Sequence, residues 1–160
     1  MTGLANRRAL QPRLAAELSR HDRSGQALAV LLVDVDHLKR VNDHHGHAAG
    51  DEVLRSMAAV LAASCRRSDL VVRFGGEGFL LLLPETGEGG AEQAADKLRT
   101  AVAARPWPPV GQVTVSIGYS VTVIGEPASA DRLIAQAEAA LYRAKANGRN
   151  CVESGVRLPA

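Results

Sequence analysis

Residues 70–83 read LVVRFGGEGFLLLL, two apolar runs that flank a Gly-Gly pair. Such runs on either side of two glycines predict a tight β-hairpin, because the primed turns of hairpins need positive φ at both central residues. The simplest interpretation is that Gly75 and Gly76 only form this turn. A second interpretation is that the glycines let the backbone lie close to a ligand, beside the carboxylate of Glu77.

A second informative stretch, residues 31–43, reads LLVDVDHLKRVND, so that an apolar strand ends in carboxylates. Hard divalent cations prefer oxygen ligands of this kind. If this strand and the hairpin are neighbours in one sheet, Asp34 and Glu77 can share a divalent cation. The pairing of the two strands is a hypothesis at this point.

The composition describes one globular domain of 160 residues, with 46% apolar and 22% charged residues. The formal net charge of +2 is too small to predict a nucleic acid partner. No apolar run approaches the length of a membrane span, so we expect no insertion into a membrane. Cys65 and Cys151 exclude a disulfide framework and suit a reducing compartment, and we therefore expect a cytoplasmic location.

The first half of the chain predicts two helices after an opening helix and strand. Leu10, Leu14 and Leu18 recur at helical spacing, and residues 27–35 form an almost wholly apolar strand. A short helix then ends near Gly46, and a longer one is predicted from Asp51, whose charge suits the start of a helix.

The second half of the chain predicts a further strand between two helices. Residues 113–123 alternate, which predicts one buried and one more polar face, and Ser129 is placed to cap the final helix. The whole order predicts an α+β fold with a mainly antiparallel central sheet that is flanked by helices.

Taken together, these stretches closely resemble the GGDEF-domain family of diguanylate cyclases. The family signature reads GG(D/E)EF, and this chain has GGEGF at residues 75–79. The other matching motifs are TGLANR at 2–7, the segment from Asp34 to Asp51, SIG at 116–118 and ALYRAKANGRN at 140–150. The match covers nearly the whole chain, and Gly78 is the departure within the signature.

The resemblance implies the palm-like fold of nucleotidyl cyclases for a single domain of residues 1–160. In the family, the first motif usually follows a linker from a sensory or receiver domain. Met1 stands directly before Thr2 here, so we expect a domain excised from a longer protein.

The resemblance also implies an activity, a cofactor and a set of site residues. Family members condense two GTP molecules into cyclic di-GMP and two pyrophosphates, with Mg²⁺ or Mn²⁺ as the cofactor. By resemblance, Asp34 and Glu77 are the catalytic carboxylates, and they bind the metal together with the backbone carbonyl of Val35. The implied substrate-binding residues are Leu38, Lys39, Asn42, Asp51, Gly75, Gly76, Lys145 and Arg149.

The substrate-binding residues divide by the part of GTP that each is implied to contact. Asn42 and Asp51 would accept the N–H groups of guanine, so GTP should bind better than ATP. Lys39, Lys145 and Arg149 would hold the β- and γ-phosphates. Without the family motif, the simpler interpretation of the last two is a pair of cations on one face of a continuous helix.

Arg66 and Asp69 match the family's Arg-x-x-Asp site for inhibition by the product, cyclic di-GMP. An arginine fork can hold guanine edges or phosphates, and a carboxylate can accept guanine N–H groups. The alternative is a solvated connection between a helix and a strand, since a pattern of this length also arises by chance.

Gly78 leaves two hypotheses open, because family members normally have a second carboxylate at this position. The first is a diguanylate cyclase, slowed by Gly78. The second is a catalytically degenerate domain that binds GTP or cyclic di-GMP as a signalling receptor. For the enzyme we expect a transient homodimer, because one half-site holds one GTP and the product contains two nucleotides.

Overall fold

The chain alternates helices and strands in the computed structural model, which describes residues 4–155. The helices are α1 (Arg7–Ser24), α2 (Leu38–His45), α3 (His47–Ser64), α4 (Glu88–Ala104) and α5 (Ala130–Ala146). The strands are β1 (Leu28–Val35), β2 (Leu70–Arg73), β3 (Gly78–Pro84), β4 (Val115–Val121) and β5 (Val152–Ser154). The predicted α+β order is confirmed, and the short strand β5 is an addition that the sequence analysis did not predict.

The five strands form one sheet in the order β2-β3-β1-β4-β5. β1 lies in the middle and is antiparallel to both β3 and β4, and β2 is antiparallel to β3. β4 and β5 form the parallel pair. The prediction of a mainly antiparallel sheet is therefore confirmed, and β1 is indeed the neighbour of the hairpin strand β3.

Both faces of β1 are covered by helices, which explains its almost continuous run of apolar residues. Leu31 and Val33 belong to a buried cluster with residues of α3 and α4. Val30 and Leu32 belong to a second cluster on the opposite face, with residues of α1 and α5. Each fully buried leucine side chain contributes roughly 1.5–3 kcal/mol to folding.

The face of β4 that was predicted to be polar is buried instead. Its Ser116 and Ser120 hydroxyls donate to Asp36 Oδ1 and to the Leu133 carbonyl, each at 2.6 Å. A Cβ atom at Gly118 would lie 2.2 Å from the backbone nitrogen of Leu141. The predicted more polar face is therefore also buried, because α5 lies directly on this strand and the small side chains make room for it.

The turn between β2 and β3 is wider than the predicted two-residue primed turn. Gly75 has a φ of 81°, whereas Gly76 does not have a positive φ. The Phe74 N–H donates to the Gly78 carbonyl at 2.9 Å, and the Arg73 guanidinium donates to the Gly75 carbonyl at 3.2 Å. The prediction of positive φ at both glycines was wrong, because the side chain of Arg73 supports a longer turn.

No helix within residues 4–155 combines the length and the apolar character that crossing a membrane requires.

Candidate active site

The two predicted catalytic carboxylates lie where β1 and the hairpin meet. Asp34 is opposite Gly78 of β3 and Ser116 of β4 in the strand registers. The backbone N–H of Val35 donates to the backbone carbonyl of Glu77 at 3.2 Å, and this bond ties the end of β1 to the turn. The sheet and its hairpin therefore bring Asp34, Val35 and Glu77 together at the C-terminal end of the central strand β1.

A cavity of 480 Å³ opens beside this end of β1. Six of the predicted site residues line it: Val35, Leu38, Lys39, Glu77, Lys145 and Arg149. We call it the charged cavity. Within residues 4–155, the side chains of Lys39, Glu77 and Arg149 make neither a hydrogen bond nor an ion pair. An anionic ligand can therefore pair with the cations Lys39 and Arg149 without breaking a side-chain contact, whereas the Glu77 carboxylate suits a cation.

Lys145 is the cation of the charged cavity that already has a partner, because its Nζ atom forms an ion pair with Asp34 Oδ2. The side chains are 33% and 18% exposed, so the pair is only partly screened by water. α5 ends at Ala146, and Arg149 follows with a φ of 64°. Lys145 and Arg149 therefore do not lie on one continuous helix, which was the condition of the simpler interpretation, although both residues line the same cavity.

Asp36 is a buried carboxylate at the end of β1 that the sequence analysis did not select. It accepts hydrogen bonds from the Thr114 hydroxyl at 2.7 Å, the Ser116 hydroxyl at 2.6 Å and the Asn150 N–H at 3.0 Å. These bonds join β1 to β4 and to the segment that carries Arg149. Asp36 thus positions the walls of the charged cavity. The alternation of Asp34 and Asp36 along one strand was the available signal.

Gly78 brings the backbone of β3 close to Asp34. A Cβ atom at this position would lie 2.5 Å from Asp34 Oδ1 and 2.8 Å from the Phe74 carbonyl oxygen. The absence of a side chain at residue 78 therefore lets the Asp34 carboxylate lie against the glycine while it pairs with Lys145.

Gly75 and Gly76 lie in a separate, smaller cavity of 280 Å³ under the hairpin. Asp34, Glu77 and Glu138 also line this cavity, and Glu77 belongs to the charged cavity as well. The side chain of Glu77 therefore stands between the two spaces.

The predicted guanine-binding residues lie outside the charged cavity, where α2 meets α3. Asn42 is partly buried on α2, and Asp51 is exposed on α3. The side chain of Asn42 packs against Gly50, the residue before Asp51, which places the two predicted residues close together. α3 begins at His47, so the predicted role of Asp51 near the start of the helix was wrong.

Arg66 and Asp69, the predicted inhibitory pair, lie in the turn between α3 and β2. Arg66 donates to Asp69 Oδ1 at 2.9 Å, to the Pro84 carbonyl at 2.9 Å and to the Thr86 hydroxyl at 2.9 Å. The Asp69 side chain is only 5% exposed, and its Oδ2 accepts the Arg66 N–H at 2.8 Å. The turn is thus closed by its own hydrogen bonds and tied to the end of β3.

The donor set fits a hard divalent cation in one respect and is incomplete in another. Asp34, Glu77 and the Val35 backbone offer oxygen atoms, which suit Mg²⁺ and Mn²⁺. No group of three or more His, Cys, Asp or Glu side chains within residues 4–155 is suited to hold a metal ion. A cation at this site would therefore need further oxygen atoms, such as those of a nucleotide phosphate.

Oxygen donors of the kind that suit a divalent cation thus lie beside Lys39 and Arg149, a combination typical of nucleotide-binding proteins. The family model described as "Diguanylate cyclase, GGDEF domain" matches residues 1–151, and the chain belongs to this family.

Diguanylate cyclase DgcP of Pseudomonas aeruginosa is 40% identical to the chain over 154 residues. These residues are 96% of this chain and 23% of that protein, so the chain spans about a quarter of the length of this curated relative.

Two solved structures share the fold closely. The GGDEF domain of DgcB from Caulobacter crescentus, in complex with c-di-GMP, has a TM-score of 0.89 and 31% identity, covering 96% of this chain and 92% of that one. The active GGEEF domain of a diguanylate cyclase from Vibrio cholerae has a TM-score of 0.90 and 30% identity, covering 97% and 99%. The palm-like α+β fold expected from the sequence is consistent with both.

Proposed function

We propose that this domain is a diguanylate cyclase that condenses two GTP molecules into one cyclic di-GMP and two pyrophosphates. The observation that carries the proposal is the charged cavity, where the cations Lys39 and Arg149 have no side-chain partner within residues 4–155. Cations that lack a partner in the fold stabilise a triphosphate without the loss of an existing ion pair. The likeness to family members named as diguanylate cyclases supports the same reaction.

The reaction is two phosphoryl-type displacements. In each, the 3′-oxygen of one GTP forms a bond to the α-phosphorus of the other, the bond to pyrophosphate breaks, and the hydroxyl proton leaves. Lys39, Lys145 and Arg149 would bind the β- and γ-phosphates and stabilise the negative charge that moves onto pyrophosphate. Asp34, Glu77 and the Val35 carbonyl would hold Mg²⁺ or Mn²⁺, which when bound polarises the phosphates and lowers the pKa of the attacking hydroxyl.

The ion pair between Asp34 and Lys145 competes with the binding of metal and substrate. The ammonium group weakens the attraction of Asp34 for a metal cation, and the carboxylate weakens the attraction of Lys145 for a phosphate. The nucleotide phosphates would draw Lys145 away and leave Asp34 to the metal. Binding of the substrate would therefore raise the affinity for the metal, and binding of the metal would raise the affinity for the substrate.

Gly78 makes this domain differ from the Vibrio cholerae relative, which is described as an active GGEEF domain and so has glutamate at the fourth signature position. We infer that Asp34 and Glu77 suffice, with phosphate oxygens as further ligands, and that the missing carboxylate slows the reaction. The second candidate is a degenerate receptor for GTP or cyclic di-GMP. The resident pair of Lys145 with Asp34 favours it, because that pair competes with a metal.

We further propose that the domain acts as a transient homodimer. One half-site, with Asp34, Glu77, Asn42 and Asp51, can hold a single GTP, so a second copy has to present the other. Initial rate per protein should rise with concentration over a dilution series, and a fused coiled coil should raise it by increasing the effective concentration. A rate per protein that stays flat would point to a permanent dimer or another mechanism.

The test of the proposed function is an assay of purified domain with GTP and Mg²⁺ for cyclic di-GMP. The enzyme should yield product, and Asp34→Asn should yield almost none. Binding of GTP or cyclic di-GMP without product, at high protein concentration, would replace the enzyme with the receptor.

A further inference from the structure

Gly50 is buried in the first turn of α3, and glycine is unfavourable within a helix. Glycine lowers the stability of a helix relative to alanine, because it loses more backbone freedom on folding. Gly50 is buried, and its φ is not positive, so no backbone conformation requires it. The reason for a glycine here has to be space.

The space is taken by the side chain of Asn42 on the neighbouring helix α2. A Cβ atom at residue 50 would lie 1.7 Å from Asn42 Oδ1 and 2.8 Å from Asn42 Cγ. Real atoms do not approach so closely, so any side chain at residue 50 displaces the amide of Asn42. The three atoms nearest to such a Cβ all belong to the side chain of Asn42, so the clash falls on that side chain first.

The amide that Gly50 accommodates has an acceptor atom without a donor. Among the buried side-chain nitrogen and oxygen atoms of residues 4–155, Asn42 Oδ1 is the one without a hydrogen-bond partner. A buried acceptor without a donor is costly, so a ligand that brings an N–H group to this oxygen recovers a hydrogen bond.

Asp51 follows Gly50 directly and supplies a second acceptor. Its carboxylate is exposed and makes neither a hydrogen bond nor an ion pair with any residue in the range 4–155. Two neighbouring acceptors match the Watson–Crick edge of guanine, which offers two kinds of N–H donor. Adenine offers one donor beside an acceptor, and would leave one of the two protein oxygens unpaired.

We propose that Gly50 is a positioning residue for guanine selection: it holds the amide of Asn42 beside Asp51, and a side chain at residue 50 removes the discrimination between guanine and adenine. This proposal rests on the proposed use of GTP and deepens it. Gly50 itself contacts no nucleotide atom, and its effect is transmitted through Asn42.

The first test compares nucleotide selectivity in Gly50→Ala, Asn42→Ala and the double variant. The probes are the α,β-methylene analogues of GTP and ATP, which keep the base and cannot release pyrophosphate, and calorimetry measures their affinities. Gly50→Ala should lower the preference for guanine by roughly tenfold, through the GTP analogue alone. In the Asn42→Ala background, Gly50→Ala should change the preference no further. An unchanged preference in Gly50→Ala, or an equal loss in both backgrounds, would overturn the proposal.

The second test uses thermal stability and a matched control. Gly89 is a glycine of α4 with no atom within 4 Å of an added Cβ, so Gly89→Ala should leave selectivity unchanged. Gly50→Ala should raise the Tm by ~2–4 °C in the Asn42→Ala background, where the helix gains alanine without a clash, and should not raise it in the wild type. A rise of equal size in both backgrounds would overturn the steric link.

The two tests separate this inference from the proposed function. A protein that binds neither analogue would overturn both the proposed function and guanine selection by Gly50. A protein that binds the GTP analogue but makes no cyclic di-GMP would refute the enzyme and leave the guanine test decisive.

Discussion

The charged cavity and the turn formed by residues 66–69 both contain arginine or lysine beside a carboxylate, yet the charges are used in opposite ways. In the cavity, Lys39, Glu77 and Arg149 have no side-chain partner within residues 4–155. In the turn, the Arg66 guanidinium bonds to Asp69, Pro84 and Thr86, and the Asp69 side chain is 5% exposed. The turn satisfies its own charges, whereas the cavity leaves charges for a ligand.

This contrast distinguishes the turn, whose contacts stabilise the fold, from the charged cavity, whose side chains are available to a ligand. Product binding at Arg66 and Asp69 remains a proposal, and a ligand there would have to share or break bonds that already join α3 to the end of β3. A triphosphate in the charged cavity would break the ion pair between Lys145 and Asp34 and no other described side-chain contact of its cations.

The largest expected difference is in the rate of the reaction, when aspartate is replaced by asparagine in each of the two regions. Asp34→Asn should lower the rate of cyclic di-GMP formation by about a hundredfold or more, because it removes the charge of one of the two carboxylates at the proposed metal position. Asp69→Asn should leave the rate within about threefold of wild type, because it alters no residue of the cavity.

For the stability of the fold, we expect the larger effect from Asp69→Asn and the smaller one from Asp34→Asn. Asp69→Asn should lower the free energy of unfolding by about 1–2 kcal/mol, since it weakens the charged bonds with Arg66, and Asp34→Asn should cost less. Urea unfolding curves measure both. Equal losses of rate in the two variants would show that the contrast between the regions is wrong.

Lys145→Met sharpens the comparison inside the cavity. The substitution should weaken GTP binding by roughly tenfold, because a phosphate ligand is lost, and should strengthen Mn²⁺ binding without nucleotide, because Asp34 is released from its ammonium partner. Arg149→Met is the matched control, which should weaken GTP binding and leave Mn²⁺ binding unchanged. Paramagnetic resonance of free Mn²⁺ gives the metal affinity, and equal Mn²⁺ affinity in both variants would reject the competition.

Two substitutions at Gly78 distinguish the missing carboxylate from the missing side chain. Gly78→Ala adds only the Cβ that approaches Asp34 Oδ1 and the Phe74 carbonyl, so turnover should fall by several-fold. Gly78→Glu adds the same atom and a carboxylate, and turnover should exceed that of the wild type. Steady-state rates at saturating GTP are the measurement. If the glutamate variant is no faster than the alanine variant, the carboxylate is not the limiting feature.

Arg66→Ala tests whether the turn also binds product. It should lower the Tm by ~2–6 °C, because the Pro84 and Thr86 contacts and the bond to Asp69 are lost. If the inhibitory site is functional, calorimetry should also show the loss of high-affinity cyclic di-GMP binding with GTP binding unchanged. Equal product affinity in variant and wild type would leave the turn with a structural role alone.

The smallest expected effect concerns Cys65, which lies next to Arg66. Burial raises the pKa of this thiol to about 11, with a further rise from the charge of Asp69 that Arg66 partly offsets. At pH 8 about one thiol in a thousand is then the reactive thiolate, so labelling by a thiol reagent should be slow and should speed up toward pH 11. Asp69→Asn should accelerate it only modestly, because burial is the larger cause. Fast labelling at pH 7 would show that the turn opens.

The parts of the fold that were predictable are those where a local pattern determines the structure. The apolar run of β1 and the runs flanking the hairpin predicted strands, and the sheet does place β1 beside β3. The family motifs selected Lys39, Lys145 and Arg149, which the structure brings to one cavity.

The parts that were missed depend on contacts between distant residues. Asp36 binds Thr114, Ser116 and Asn150, and no local pattern shows which hydroxyls a buried carboxylate will meet. The contact of Asn42 with Gly50 depends on how α2 packs on α3, and the buried serines of β4 on how α5 lies across that strand. Spacing along the sequence cannot reveal these packing relationships.

The most direct test of the central claim is the stoichiometry of the reaction. Purified domain would be incubated with GTP and Mg²⁺, and cyclic di-GMP and pyrophosphate would be quantified together over time, with Asp34→Asn measured in parallel. The account predicts about two pyrophosphates for each cyclic di-GMP in the wild type and almost none of either product in the variant. GTP that stays bound and intact in the wild type, or product formed equally by the variant, would contradict it.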